Sequence, residues 1–454
     1  MKLVKEIQAD YLTAISAFLR IKGKNKCLLE SIPRDLSKGR YSIIAWDAVS
    51  EIIYQDNVLT VAGNSFVVSD PLKEIEQYVY KEEELVEGMP FVGGAIGYVG
   101  YDVIASYEAL GKIPFDEMNI PDIHFYLFDS FLLFDHVGEK LFLVEANTYS
   151  NRTEEELKAA LIKKQQELTV PNQEEQKEIK LDKLDYTSNF SKEGYEEVVN
   201  QAKKYIKAGD LFQMVPSQRL TADFKGHPFD YYRRLRVSNP SMYLYFLDFG
   251  ETYIIGSSPE SLVSVKGQVV TTNPIAGTRK RGVTPEEDSM LEQELIQDEK
   301  ERAEHLMLID LGRNDIGKIS EIGSVEVPLY MVVEKYRYVM HLVSVVTGKL
   351  KKGATAMDAL KATLPAGTVS GAPKIRAMQR IYEMEPVKRG IYAGAVGYLS
   401  KNGQADFAIA IRTMVIHKGK AYVQAGAGIV YDSDPEKEYE ETLHKAKALL
   451  EVTT

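Results

Sequence analysis

Strand-like runs recur along almost the whole chain, and no regular alternation of strand with helix accompanies them. "CLLESI", "YSIIAW" and "NVLTVAG" open the series; "SMYLYFLDF", "TYIIGSS", "SLVSVKGQVVTT", "YAGAVGYLS" and "FAIAIRTMVIHKGKAYVQAGAGIV" continue it. The stretch "HFYLFDSFLLFDHVGEKLFLVEA" reads as two strands with a turn at His136–Lys140. Helices fall between these runs. Thr153 to Leu168 is amphipathic with Thr153 and Glu156 as a capping box, and "SKEGYEEVVNQAKKYIKAGD" reads as a helix ending at Gly209. Residues 287–310 and 374–384 supply two more. A doubly wound fold needs βα alternation, so the expected class is α+β with mainly antiparallel sheets.

The chain has 454 residues, 44% of them hydrophobic, enough for a large core and roughly two to three domains. "TVPNQEEQKEIKLDKLDY" loses apolar periodicity and gains charge, which marks the best linker. The expected division is therefore 1–168, a linker at 169–186, and 187–454. "GGAIGYVGYD" (93–102) and "AGAVGYLSKN" (393–402) share a short glycine-rich core. A shared packing solution explains so short an echo better than a duplicated domain does.

A net charge of −11 disfavours nucleic acid and anionic membrane as partners. No apolar run of about 18 residues is present, so no membrane span is expected. The N-terminus lacks the pattern of a signal peptide, and the single Cys27 excludes an internal disulfide; a cytoplasmic location fits both.

Several residues carry candidate chemistry. Glu301 and Glu304 lie three apart on a predicted helix, as do Glu438 and Glu441 on another. Such pairs either coat a solvated face or, on facing helices, hold a hard divalent cation. Lys445, four residues after Glu441, projects to the same side. Arg412 sits in "FAIAIRTMVI", where strand alternation puts it level with apolar positions and demands an anionic partner. Glu260 lies between a Ser-Pro turn and a strand, where a half-buried carboxyl can have a raised pKa. His341 in "YVMHLVSVV" is either a satisfied core residue or a catalytic one. "PAGTVSGAPK" lacks Walker spacing; its Thr368 and Ser370 stand before a helix, where they form an ordinary entry or an anion site. "NPIAGTRKRG" leaves a similar choice between an anion held at a small-residue turn and a solvated loop. No nucleophile elbow surrounds Cys27, so glutamine hydrolysis by this chain is not expected.

Taken in order, "LLES", "GDLFQMVPSQR", "NPSMYLYF", "GSSPE", "PIAGTRKRG", "EHLMLIDLGRNDIG", "YVMHLVS", "LPAGTVSGAPK", "RGIYAGAVGY", "AIAIR", "QAGAGIV" and "EETLHKAKA" resemble the chorismate-utilising enzymes. The resemblance covers nearly the whole chain and is dense from about residue 187. It implies a two-domain α+β sandwich of large antiparallel sheets flanked by helices, with 187–454 as the catalytic part. It also implies a Mg2+-dependent reaction of chorismate. Glu304 and Glu441 match metal ligands, with Glu301 and Glu438 supporting them through water. Gly277, Thr278, Tyr392, Arg412, Gly426, Ala427, Gly428 and Lys445 match substrate contacts. Glu260 matches the acid assisting departure of the ring hydroxyl, with His341 and Thr368 near the reacting ring.

Within the family, relatives that form isochorismate carry Lys where this chain has Gln213. Relatives that form aminodeoxychorismate carry Lys where it has Ala276. Gln213 with Ala276 implies instead a lyase that adds ammonia at C2 and eliminates pyruvate. The resemblance further implies a separate glutamine amidotransferase subunit delivering ammonia, hence a hetero-oligomer. Feedback inhibition by L-tryptophan follows as well, at Ser31, Met242, Tyr243 and Leu244, with Met242 standing where the family usually has Pro.

Overall fold

Two antiparallel sheets, of eleven and twelve strands, make up the centre of the molecule. They are seen in a computed structural model that describes residues 1–8, 11–31, 40–81, 88–336 and 339–453. Strands from both sides of 169–186 share each sheet. Cys27–Glu30 pairs with Tyr243–Asp248 in the first, and Gly94–Val99 pairs with Ala395–Ser400 in the second.

Side-chain alternation explains how the sheets stack. Along Tyr243–Asp248, Tyr245 and Leu247 enter a core between the sheets together with Ile96, Phe128, Val396 and Tyr398. Leu244 and Phe246 point the other way, toward Phe229, Leu235, Ala446 and Leu449 of the helices Pro228–Ser238 and Pro435–Leu450. The outer face of the twelve-stranded sheet is covered by Pro71–Val79, Ala356–Thr363 and Lys374–Met384. The layers thus run helix, sheet, sheet, helix, the sandwich expected. Strands covered on both faces need apolar residues at every position, hence the unbroken apolar runs in the sequence.

Several of those runs pass from one sheet into the other. Ile123–Phe128 belongs to the twelve-stranded sheet and Ser130–Asp135 to the eleven-stranded one, so the stretch read as two strands holds three. The break is at Asp129, whose carboxylate accepts the N–H groups of Thr148, Tyr149 and Ser150. The helix expected over 287–310 is also two, Pro285–Gln297 and Glu299–Gly317. Asp298 between them has ψ 108° and caps the second by accepting from the N–H groups of Lys300 and Glu301. Thr153 and Glu156 do form a capping box, and Lys192–Lys207 ends before Gly209, which has φ +75°.

The glycine echo has a direct structural meaning. Gly97 and Gly397 lie opposite each other in neighbouring strands. A Cβ on either would fall inside van der Waals distance of a backbone carbonyl, His124 O for the first and Asp406 O for the second. Gly97→Ala is expected to lower stability by about 3 kcal/mol or more, because backbone rather than a flexible side chain must move. Thermal melting of the purified variant measures it.

Candidate active site

Two sheet-to-sheet crossovers run side by side, and they carry Glu260 and Arg412. The chain leaves the eleven-stranded sheet at Ser258 and enters the twelve-stranded one at Ser261; Ile409 to Thr413 makes the return. The crossovers are tied by Ser257 N–H donating to Arg412 O at 3.0 Å and Ile409 N–H donating to Glu260 O at 3.0 Å. Arg412 is therefore not on a strand, as alternation suggests. It occupies the bend, with φ +48°.

Glu260 is half-buried, and its Oε2 accepts a hydrogen bond from Thr368 Oγ1 at 3.0 Å. Burial pushes its pKa up; the Thr368 bond and the charges of Arg412 and Lys445 oppose the rise. Burial in turn pushes the Arg412 pKa down, against the pull of Glu260. Among the described residues the Arg412 guanidinium forms no hydrogen bond or ion pair. A half-buried cation of this kind, without an ion pair and beside a carboxyl whose pKa burial pushes up, is an incomplete arrangement. An anion completes it.

The opposite wall is backbone. Gly426 ends the strand Lys420–Gly426, and a Cβ there would lie 2.6 Å from Pro216 O and 3.0 Å from the Tyr392 hydroxyl. Tyr392 is buried, with its pKa pushed up to about 12 mainly by desolvation. Ala427 is fully buried and its N–H donates to Pro216 O at 3.2 Å. Gly428 leaves room for Gln213, whose Nε2 would lie 2.9 Å from a Cβ at that position. Lys445 donates to Gly426 O at 3.1 Å and pairs with Glu441 at 2.7 Å, the i, i+4 geometry read from the sequence.

The carboxylate pairs lie on Glu299–Gly317 and Pro435–Leu450. Glu304 accepts from Gln213 Nε2 at 3.3 Å; burial first, and then the Glu301 charge, push its pKa up. Burial and then the neighbouring Glu441 likewise raise Glu438, while a Ser433 hydrogen bond lowers it. Lys300 and Lys445 act on both Glu304 and Glu438, so the two helices face a common space. Among the described residues no three His, Cys, Asp or Glu side chains form a closed metal cluster. The donor set nevertheless fits a hard cation that keeps some water: two like-charged oxygen pairs and a buried, unpartnered Gln213 Oε1.

The turn at 276–278 holds Ala276, Gly277 and Thr278 beside His341. Gly277 has φ +69° and forms a bulge in the strand Ile275–Lys280. His341 Nδ1 lies 2.9 Å from Gly277 O and 3.0 Å from Thr278 Oγ1. His341 is thus half-buried, on a strand paired on both sides, with Thr278 opposite it on one and Glu334 on the other, and is not a core residue. Of the three cations that follow, Arg279 bridges Glu294, Asp298 and Glu301, and Arg281 binds Asp288 and Tyr336 O. These two arginines fasten the helices to the strand through ion pairs.

Thr368 and Ser370 are not hydroxyls at a helix entry either. The helix begins at Lys374 after Pro373, Thr368 serves Glu260, and Ser370 donates to Ala366 O. Ser31 follows Cys27–Glu30, where Glu30 lies opposite Leu244, so it stands at the same strand edge as Tyr243. The Tyr243 hydroxyl donates to Asp406 at 3.0 Å. Glu385 and Arg389, an acid and a base four residues apart just past the helix Lys374–Met384, escaped the sequence reading; both lie buried beneath Tyr392 and the Thr368 turn.

This chain belongs to the chorismate binding enzyme family, whose model matches residues 25–451. It is an enzyme of the chorismate-utilising group. More particularly, it is 56% identical over the full length of both chains to anthranilate synthase component 1 of Lactococcus lactis subsp. lactis. The crystal structure of anthranilate synthase component I from Streptococcus pneumoniae superposes with a TM-score of 0.87 at 53% identity, covering 98% of each chain. The menaquinone-specific isochorismate synthase of Escherichia coli shares the fold, with a TM-score of 0.73 at 20% identity over 100% of this chain and 95% of its own.

Proposed function

We propose that this chain is the chorismate-aminating subunit of an anthranilate synthase, acting in tryptophan biosynthesis in the cytoplasm. The observation that carries the reading is Arg412, a half-buried cation that among the described residues forms no hydrogen bond or ion pair with its side chain, beside Glu260 with its raised pKa. Chorismate is a dicarboxylate, and Arg412 with the backbone of Gly426–Gly428 suits one of its carboxylates. Tyr392, Gly277, Thr278 and Lys445 complete the contacts. Glu304 and Glu441, supported by Glu301 and Glu438, would hold Mg2+, which supplies charge neutralisation for a carboxylate.

The protein's own residues do the rest. Thr368 orients Glu260, which gives its proton to the ring hydroxyl as ammonia bonds to C2 and the hydroxyl departs as water. His341, on the strand facing Gly277 and Thr278, is the base placed to take the C2 proton as the enolpyruvyl C–O bond breaks. Pyruvate leaves and the ring becomes aromatic. Gln213 cannot activate water as a lysine could, and Ala276 cannot attack the ring; both favour this outcome over isochorismate or aminodeoxychorismate.

Ammonia must come from elsewhere. Cys27 is fully buried and desolvation pushes its thiol pKa up, so it is no glutaminase nucleophile. A glutamine amidotransferase subunit as partner in a hetero-oligomer agrees with the name component 1 borne by the relatives. The catalytic groups all lie in 187–454, while the tryptophan site adds Ser31 from 1–168 to Met242, Tyr243 and Leu244.

The test is incubation of the purified chain with chorismate, Mg2+ and ammonium at alkaline pH. Fluorescent anthranilate and pyruvate are expected in equal amounts. Isochorismate or aminodeoxychorismate as product contradicts the reading, as does inertness that persists with glutamine and the partner.

A further inference from the structure

Three segments that carry site residues converge on one buried ion pair. Arg389 and Glu385 side chains are 1% and 3% exposed. Arg389 Nε and Nη2 donate to the two Glu385 oxygens at 2.9 and 2.6 Å. Its remaining donors reach two backbone carbonyls, Val369 O at 2.7 Å and Val215 O at 2.6 Å. Glu385 Oε1 also accepts Ser217 N–H and Oγ, both at 2.8 Å. The guanidinium lies 4.6 Å from the Tyr101 ring centroid and 5.5 Å from that of Tyr392.

A buried ion pair is a poor way to gain stability, since apolar side chains of equal volume serve as well. What it provides is direction: a planar fork fixes two carbonyls at once. Val369 follows Thr368, the partner of Glu260. Val215 lies two residues after Gln213, and Ser217 stands opposite Gly426 in the sheet. We propose that Arg389 and Glu385 are positioning residues for the reaction, holding Thr368 in register with Glu260. This rests on the reading of Glu260 as the acid.

Arg389→Lys keeps the charge but cannot serve both carbonyls. It is expected to lower kcat by about tenfold or more while KM for chorismate changes by less than about threefold, with circular dichroism like that of the parent. Thr368→Val alone should give a comparable fall. The double variant should be no more than about threefold worse than the worse single, because both act through one hydrogen bond. Losses that multiply in the double variant, or a lower Tm with kcat per folded molecule unchanged, overturn the proposal. Glu385→Gln provides a second, isosteric test with the same expectations. If neither single variant accumulates as folded protein, the pair is a folding element and the proposal falls. Full activity in Thr368→Val overturns the reading of the acid itself, a distinguishable failure.

Discussion

Glu260→Gln is expected to lower kcat by about 10²- to 10⁴-fold, the range for loss of a positioned general acid, with KM for chorismate nearly unchanged. The amide keeps the size and the hydrogen bond from Thr368 but has no proton to give. In the parent, the acid must be protonated, so at constant free ammonia turnover declines as pH rises through the Glu260 pKa. Burial raises that pKa from the ordinary glutamate value of 4.5, which moves the decline toward neutral pH. Stability follows with a definite sign. The folded state holds this proton more tightly than the unfolded chain does, so the associated stability is full at low pH. It is lost as pH rises through the folded pKa. Glu260→Gln should therefore raise Tm relative to the parent at pH 8 and hardly change it at pH 4. An unchanged kcat, or the reverse dependence of Tm on pH, contradicts the role.

The second large effect belongs to the carboxylate pairs. Glu304→Gln and Glu441→Gln should each reduce turnover by about 10³-fold or more, since a bound cation contributes several kcal/mol of charge stabilisation. Neither change should harm the fold. Glu441 is 47% exposed, and Glu304 sits beside the like charge of Glu301, so removing its charge relieves repulsion. Titration of activity with Mg2+ measures the effect; near-parental rates in both variants at limiting Mg2+ would refute the metal assignment.

Much of this was readable from residue order because local rules governed it. Capping at Thr153, the i, i+4 pairing of Glu441 with Lys445, and the strand class of the apolar runs all depend on neighbours within one turn or one face. What escaped was decided by distant contacts. Arg412 falls at a bend rather than on a strand because the chain changes sheet there, and periodicity within "FAIAIRTMVI" carries no trace of that change. The split at Asp298 was visible in principle, since an aspartate three residues before Glu301 is a helix-start signal inside an otherwise helical run. Arg389 and Glu385 are four apart but lie beyond the end of the helix Lys374–Met384, so their spacing carried no helix-face meaning, and the two carbonyls that Arg389 serves are 20 and 174 residues away along the chain. The opposition of Gly97 and Gly397 was half legible, as an echo without a partner.

The proposed function stands or falls on a divalent cation held between the helices Glu299–Gly317 and Pro435–Leu450, with the carboxylated ring of the substrate set against it. Crystals grown with Mn2+ and a chorismate analogue provide the direct measurement through anomalous scattering. A single strong peak bonded to oxygens of both Glu304 and Glu441 is the predicted result. Saturating Mn2+ with no peak there, or with the two carboxylates turned away into bulk water, contradicts it.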